Sequence, residues 1–303
     1  MNSSGWQVLD FTGFSGSLRY SRGKLVVVSH EDVNDIELPL AHIAVVLVGV
    51  SVSISGAVLS KLSDYDVALL VCDWRGVPVA GAFPWAEHTR IGARQIAQAR
   101  LSQPKRKQAW ARLVRAKITG QARVLQSLSK TSEFSALLDF AKNVRSGDPD
   151  NREAQAARVY WSSVSPDPSF LRAPGSGSPW NNALDYGYSV LRGFGIRAIT
   201  AAGLAGTLGV FHHARSNNFA LVDDLIEPFR PVVDSCVFHC LEPELELSRE
   251  SKHRLVEACT STFSRSGHSV PTVFEDFAQS FGMFVEGDSC ELLVPVWEGS
   301  FDA

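Results

Sequence analysis

The sequence predicts an α+β fold, with a small β-rich N-terminal domain (residues 1–83) followed by a larger all-α C-terminal domain (residues 84–303). Short strand-like runs broken by glycine fill the first part of the chain, whereas helix-forming sequence dominates after Pro84. The length of 303 residues is enough for two ordinary domains. An apolar content of 45% and a charged content of 20% are typical of a folded globular chain.

The N-terminal strands are expected at short apolar runs, residues 6–11, 24–29, 43–50 and 67–72. Residues 51–55 alternate as in a strand and Ala57 to Leu62 favour a helix, so a small helix is expected between two strands. The strongest apolar run, Ile43 to Val50, is far shorter than the ~20 residues that span a membrane. With no N-terminal signal pattern and five cysteines, we expect a cytoplasmic protein with free thiols.

Helices are expected at Arg90 to Leu101 and Lys105 to Lys130. Between Arg90 and Lys130 the chain carries eleven Lys or Arg and no Asp or Glu. A solvated helix face usually mixes both signs, so we interpret this run as a phosphate-binding surface with salt-sensitive affinity. The candidate contacts are Arg94, Lys105, Arg106, Lys107, Arg112 and Arg115.

Further helices are predicted toward the C-terminus. Asp148-Pro149-Asp150-Asn151 is typical of a helix start and places Glu153 near the first turn. After a long loop with four prolines at residues 165–179, a helix is expected from Asn181 through Leu191. A separate buried helix is expected at Ile196 to Val210, and residues 232–282 again have helical character.

The region from His212 to Pro231 combines two imidazoles, three carboxylates and two guanidinium groups with an apolar helix-type spacing. On a helix, Asp224 and Glu227 would share a face, where two carboxylates repel each other unless a cation lies between them. Oxygen ligands with an imidazole suit Mg²⁺ or Mn²⁺. The residues alone leave a second interpretation open, in which the acids only favour the dipole of a solvated helix start.

Two other patterns bear on the chemistry. Cys236-x-x-His239-Cys240 has the form of a zinc half-site, but no second half-site follows, so we expect buried thiols and a histidine on one helix. The chain also lacks both GxxxxGK[ST] and GxGxxG, which argues against a nucleotide-driven enzyme.

Four segments, taken in order, resemble one known family over nearly the full chain. They are Val67 to Val79, Asn151 to Trp161, Asn182 to Arg192, and Phe211-His212 with Asp224 to Pro231. On these segments the chain resembles the integrase of CRISPR spacer acquisition, CRISPR-associated protein one. The E-P-F-R-P motif that ends the fourth segment is most similar to members from type II systems.

The resemblance implies a site. Glu153, His212 and Glu227 correspond to the family's catalytic metal ligands, which hold Mg²⁺ or Mn²⁺, and Asp224 to a supporting or alternate ligand. The resemblance favours His212 over His213, because His212 lies twelve positions before Asp224 and fifteen before Glu227, which is the spacing of the family. Tyr188 and Arg230 are further candidates for contact with DNA, although packing or a structural salt bridge would also account for them.

The resemblance also implies a function. A homodimer would join a small ferredoxin-like partner, CRISPR-associated protein two, and insert short captured DNA duplexes into a repeat array by 3′-hydroxyl transesterification. The N-terminal domain would supply dimer and partner contacts, double-stranded DNA would be the substrate, and the interference nuclease of a type II system is a further partner. Two alternatives stay open: a metal-dependent nuclease on branched or single-stranded DNA, and a non-enzymatic dimeric DNA-binding scaffold.

Overall fold

A computed structural model describes residues 6–30, 34–73, 78–84 and 88–299 of the chain. The chain divides into two compact units, Met1–Glu87 and His88–Ala303. Strands dominate the first unit and helices the second, so the predicted α+β fold class is confirmed.

The described part of the first unit contains eight strands, one α-helix and the short 3-10 turn Leu40–His42. The strands are β1 (Gln7–Phe11), β2 (Gly16–Ser21), β3 (Lys24–Ser29), β4 (Ile36–Pro39), β5 (Ile43–Val48), β6 (Val52–Ile54), β7 (Ala68–Cys72) and β8 (Pro78–Ala82), and the helix is α1 (Gly56–Asp64). They form two four-stranded sheets, in the orders β1-β5-β7-β8 and β4-β3-β2-β6. The predicted small helix between two strands is therefore present as α1.

One apolar core holds the first unit together. Strand β5 pairs in parallel with β1 and β7 and is buried along its whole length, which explains its continuous apolar sequence. The core cluster joins residues of both sheets, such as Leu25 and Val46, to Leu62 of α1. Ser55 begins α1 by accepting a hydrogen bond from the Val58 N–H.

The second unit is helical in its described residues. Its helices are α2 (Ile91–Ala99), α3 (Gln103–Ser127), α4 (Thr131–Lys142), α5 (Arg152–Val164), α6 (Pro179–Ala201), α7 (Ala220–Leu225), α8 (Arg230–Cys240), α9 (Arg249–Thr260) and α10 (Val270–Glu286). The sequence did not predict α4. The expected helical region after residue 232 is three helices, α8 to α10, separated by loops.

Helix α3 packs against α4, α5, α8 and the short 3-10 turn Glu227–Phe229. Its apolar stripe, which includes Trp110, Leu113 and Ile118, is buried as predicted. At Gly120 a Cβ atom would lie 2.7 Å from Cγ of Pro231, at the start of α8. Glycine therefore permits the close approach of α3 to the segment that carries Glu227.

The prediction of a separate buried helix at Ile196 to Val210 is wrong. Helix α6 runs without a break to Ala201, and the chain then turns at Gly203, which has a left-handed φ of 67°. A Cβ at Gly209 would lie 2.4 Å from the His212 carbonyl oxygen, so this glycine allows a tight turn into the histidine.

The prediction that Asp224 and Glu227 share a face of one helix is also wrong. Helix α7 ends at Leu225, and Glu227 begins the 3-10 turn that precedes α8. Pro228 and Pro231 have no N–H group, so they cannot continue the α-helical hydrogen bonding through this segment. Both prolines instead lie in the first turn of the element they belong to, where no N–H is required.

Within the residues that the structure describes, no helix is both long and apolar enough to cross a membrane.

Candidate active site

Glu153 lies in the first turn of α5, and Asp148 fixes its position. The Asp148 carboxylate accepts hydrogen bonds from the Arg152 and Glu153 N–H groups, each at 2.9 Å. Asn151 precedes the helix in a left-handed conformation, with φ of 52°. The predicted helix start is therefore present, with Asp148 as the capping carboxylate.

Lys117 of α3 lies between two of the predicted site residues. Its Nζ atom is 2.7 Å from Oε1 of Glu153 and 2.7 Å from Oε2 of Glu227. Burial lowers the pKa of Lys117, but the charges of Glu227 and Glu153 outweigh this effect and the pKa lies above its ordinary value. The structure thus brings Glu153 and Glu227 together around one cation.

Glu227 is buried with a second cation beside it. Arg230 Nε donates to Oε1 at 3.0 Å, and the guanidinium lies 4.5 Å from the ring centre of Tyr188. Burial alone would raise the pKa of Glu227, but Arg230 and Lys117 lower it below its ordinary value. Oε2 is buried and has no hydrogen-bond partner among the described residues; it lies 2.7 Å from Nζ of Lys117 as an ion pair.

His212 is held by Asp224. The Asp224 side chain is fully buried, and its oxygens accept the N–H groups of Val210 at 2.5 Å, Phe211 at 3.0 Å and His212 at 3.2 Å. His212 Nδ1 lies 2.6 Å from Asp224 Oδ1. This hydrogen bond is the main reason that the pKa of His212 lies above its ordinary value, while burial acts in the opposite direction.

Two aromatic rings fix the surroundings of His212. Phe211 stacks on the buried Trp110 of α3, with ring centres 4.1 Å apart, and both rings meet the imidazole edge-on. The neighbouring His213 is exposed. Of the two histidines, His212 is therefore the one whose ring is oriented by the protein.

The family resemblance implies a divalent metal, and Glu153, His212 and Glu227 are the residues that would hold it. Among the described residues no three carboxylate, imidazole or thiol groups converge closely enough to hold an ion. Two carboxylates nevertheless share one cation, and Glu227 Oε2 is a buried oxygen without a hydrogen bond. Two carboxylates and an imidazole are the donor types that Mg²⁺ or Mn²⁺ takes, so the residue types present fit such an ion.

A buried polar network lies beside Arg230. Tyr160 donates to Asp234 at 2.8 Å, and Tyr188 donates to the other oxygen of the same carboxylate. Burial raises the pKa of Asp234 to about 6, although the two tyrosine hydroxyls oppose this shift. The network fixes the Tyr188 ring on which Arg230 rests.

For two predicted DNA contacts the structure requires a correction. Arg94 is buried and binds Glu286, the Ala202 carbonyl and Gln279, so it stabilises the packing of α2 and cannot reach DNA. Tyr188 is buried with its hydroxyl committed to Asp234.

Other predicted contacts are also engaged within the protein. Arg106 donates to the Gly209 carbonyl, and Arg112 pairs with Glu291 at 3.0 Å. Lys105 lies 5.5 Å from the ring centre of Phe284. Arg115 donates to the Val144 carbonyl oxygen but is exposed, as is Lys107, and both stay candidates for phosphate contact.

A basic cavity lies beside the start of α5. It has a volume of about 520 Å³, and Arg115, Lys142, Arg145 and Arg152 are among its lining residues. Arg145 is paired with Asp150, while Nε of Arg152 is buried with no hydrogen-bond partner in the described part of the chain. Arg152 directly precedes Glu153, so positive charge lies next to a site carboxylate.

Sequence reasoning missed Lys117 and Asp234. In the sequence Lys117 is one more residue of the basic run, although it follows Leu113 and Val114 by the spacing that places it on the buried stripe of α3. A lysine in such a position needs a buried anionic partner, which is the signal that was available. Asp234 gave a similar signal, since it lies among the apolar residues of α8.

The expectation of two buried thiols in the cysteine motif of α8 is correct for Cys236 and wrong for Cys240. Cys236 is buried and donates to the Arg254 carbonyl oxygen at 3.6 Å, while Cys240 is exposed. His239 Nδ1 lies 2.9 Å from the Ser235 carbonyl oxygen.

Solved structures of other proteins share the fold of this chain. A casposase bound to an integration product matches with a TM-score of 0.77 and 21% identity, covering 95% of this chain and 92% of that chain. A Cas1 protein from Thermotoga maritima matches with a TM-score of 0.71 and 17% identity, covering 97% of this chain and all of the other. The fold is thus shared by casposase and Cas1 proteins.

The sequence comparisons identify the family. The family model described as CRISPR associated protein Cas1 matches residues 12–250, and the chain belongs to this family. The CRISPR-associated endonuclease Cas1 of Neisseria meningitidis is 34% identical over 80% of this chain and 79% of its own length. A second relative, from Pyrobaculum aerophilum, is 33% identical over 80% and 87% of the two chains. The resemblance found in the sequence is confirmed.

Proposed function

We propose that this protein is a metal-dependent DNA integrase and endonuclease that inserts short DNA duplexes into a repeat array during CRISPR adaptation. The observation that carries the proposal is the convergence of Glu153 and Glu227 on one cation position, in a chain of the Cas1 family. The Neisseria relative is named an endonuclease, and the casposase of the same fold is bound to an integration product.

Glu153, Glu227 and His212 would hold Mg²⁺ or Mn²⁺, and a bound ion polarises a phosphodiester and stabilises charge in in-line displacement. Because Nδ1 of His212 faces Asp224, Nε2 is the nitrogen left for a ligand. The Asp224 oxygens are engaged by three N–H groups and the imidazole, so we assign Asp224 to positioning His212 rather than to a ligand.

The proposed reaction is a transesterification. The 3′-hydroxyl oxygen of the captured strand forms the new bond to phosphorus and loses its proton. The 3′-oxygen of the cut repeat strand leaves with the bonding electron pair and takes up a proton. No bond is oxidised or reduced, and the number of phosphodiester bonds is unchanged.

Basic side chains near Glu153 support a path for the DNA backbone. Arg115 and Lys142 are exposed at the cavity beside α5, where they would neutralise phosphates independently of base sequence. Positive charge in this position would bring a phosphodiester close to the two glutamates.

We propose a homodimer that works with a Cas2-type partner on double-stranded DNA in the cytoplasm. The partner is supported by a Cas6-RT-Cas1–Cas2 complex that matches with a TM-score of 0.75 and 16% identity, over 98% of this chain and 36% of that chain. The N-terminal unit would supply the dimer and partner contacts, and the interference nuclease of a type II system would be a further partner.

A second candidate function is cleavage of branched or single-stranded DNA without joining. The observation that favours it is the naming of the curated relatives as endonucleases. It requires the same three ligands, so only the reaction products separate the two candidates.

A half-site integration assay tests the proposal. Wild-type protein with the Cas2-type partner and Mg²⁺ or Mn²⁺ is expected to join a labelled duplex to a repeat substrate, and chelation of the metal is expected to stop joining. Glu153→Ala, His212→Ala and Glu227→Ala should each reduce joining by about 100-fold or more, because each loses several kcal/mol of transition-state stabilisation.

His213→Ala is the matched control, since it removes a neighbouring exposed imidazole and should retain joining. Cut products without joined products would favour the nuclease. Wild-type protein that binds DNA but gives neither joined nor cut products, together with a Glu227→Ala protein that is less stable and still binds DNA, would favour the non-enzymatic scaffold.

A further inference from the structure

Lys117 is the least expected member of the site. It projects from α3, only 15% of its side chain is exposed, and its ammonium lies 2.7 Å from one oxygen of each glutamate. Glu153 lies in the first turn of α5 and Glu227 begins the 3-10 turn, so one lysine joins three elements that are far apart in sequence. Within the described residues, these contacts place a monovalent cation between the two carboxylates.

The charges around this position balance without a metal. Glu153 and Glu227 contribute two negative charges, and Lys117 and Arg230 contribute two positive charges. A divalent ion added beside the ammonium would leave the group with two excess positive charges. Like charges a few ångströms apart in a buried site repel strongly, so ion and ammonium exclude each other.

The contacts of Lys117 also differ from those of a satisfied buried ion pair. An ammonium has three donors, yet among the described residues Nζ makes one hydrogen bond, to Glu153. Glu227 Oε2 faces the ammonium without a hydrogen bond. A pair that served only stability would need all of these groups paired to offset the cost of burial.

We propose that Lys117 is an internal counter-cation that holds Glu153 and Glu227 together in the metal-free protein and leaves them when a divalent ion binds. The inference rests on the proposed metal-dependent function. The backbone of α3 is fixed by the close contact of Gly120 with Pro231, so the movement belongs to the flexible four-carbon side chain. Lys117 thereby preorganises the ligands and sets the metal concentration at which the site fills.

Calorimetric titration with Mn²⁺, without DNA, tests the competition. Lys117→Met removes the ammonium and keeps the apolar stem, so Mn²⁺ should bind about tenfold tighter or more than in the wild type. Lys107→Met, an exposed lysine on the same helix, is the matched control and should stay within about twofold of wild type. Unchanged or weaker Mn²⁺ binding by Lys117→Met would overturn the inference.

A measurement on wild-type protein keeps the inference testable if Lys117→Met does not fold. Amine acetylation followed by mass spectrometry should label Lys117 slowly without metal and several-fold faster with saturating Mg²⁺, relative to Lys107. Equal labelling of Lys117 with and without Mg²⁺ would contradict displacement of the ammonium. If the wild-type protein fails to join DNA while Lys117→Met binds Mn²⁺ more tightly than the wild type, the proposed reaction is rejected but this inference is not.

Discussion

Asp224 and Glu227 lie three residues apart, yet they contact different parts of the site. Asp224 is fully buried and binds the chain around His212, whereas Glu227 faces Lys117 and Arg230. A sequence pattern shows that both are acids near a predicted ligand, but not which cation each one meets. The different partners follow from the break in the helix after Leu225.

The stabilisation that the contact between His212 and Asp224 gives to the fold depends on pH. Because the pKa of His212 is raised in the folded protein, its protonated form stabilises the fold below the unfolded pKa of about 6.5. This contribution disappears as the pH rises through the folded pKa of His212.

Replacing Asp224 by Asn should therefore lower the pKa of His212, since the hydrogen bond to the carboxylate is the largest effect that raises it. It should also reduce joining by about 10- to 100-fold, as expected when a group that orients a metal ligand is removed. NMR titration of the His212 ring in metal-free protein measures the first effect, and the half-site assay measures the second.

Asp223→Asn is the control, because Asp223 pairs with Arg192 and has only a small influence on His212. An unchanged His212 pKa in Asp224→Asn would show that the hydrogen bond does not govern the imidazole.

Among the elements, α3 contributes most to the site. Its buried stripe was predictable from the spacing of apolar residues, and its packing on α5 and the 3-10 turn places Lys117 against both glutamates. The approach depends on Gly120, three residues after Lys117, which allows Pro231 to come close to the helix. Helix propensity alone would disfavour a glycine here.

Gly120→Ala tests this packing. Alanine is the better helix former, but its Cβ would lie 2.7 Å from the Pro231 ring, so α3 and α8 would have to separate. We expect a decrease of about 1–3 kcal/mol in the free energy of unfolding, typical of overpacking, measured by urea denaturation.

Gly92→Ala is the matched control in α2, where a Cβ would meet nothing within 4 Å. It should leave stability unchanged or raise it by up to about 1 kcal/mol. Equal effects of the two substitutions would mean that α3 has room at Gly120.

For the whole molecule, the acid-free run from Arg90 to Lys130 is not a continuous phosphate-binding face. Arg90 and Arg94 pair with Glu286, and Arg112 pairs with Glu291. The acids that balance these arginines come from the other end of the chain. The charge composition of α2 and α3 therefore predicted a larger anion-binding surface than the one that the folded protein exposes.

The exposed basic residues beside Glu153 are expected to bind the DNA backbone. Reversing Arg115 and Lys142 to Glu should weaken DNA binding and reduce the slope of log affinity against log salt by about one for each phosphate that is no longer neutralised. Fluorescence anisotropy at several salt concentrations measures both quantities.

Arg249→Glu with Arg265→Glu is the control, because it changes the net charge equally at exposed positions outside this cavity. An equal decrease of affinity in both double variants would indicate a general effect of net charge and remove the cavity from the DNA path.

The sequence by itself determined the fold class, the buried stripe of α3, the helix start at Asp148 and the family, because these depend on local spacing and ordered motifs. It also marked Glu153, His212 and Glu227 as candidates, whose metal role stays a prediction. Only the tertiary structure decided that Lys117 lies between the two glutamates, that Asp224 holds His212 and that Arg94 is buried. Periodicity encodes which side of a helix is buried, whereas the choice of partner depends on packing between segments that are distant in the chain.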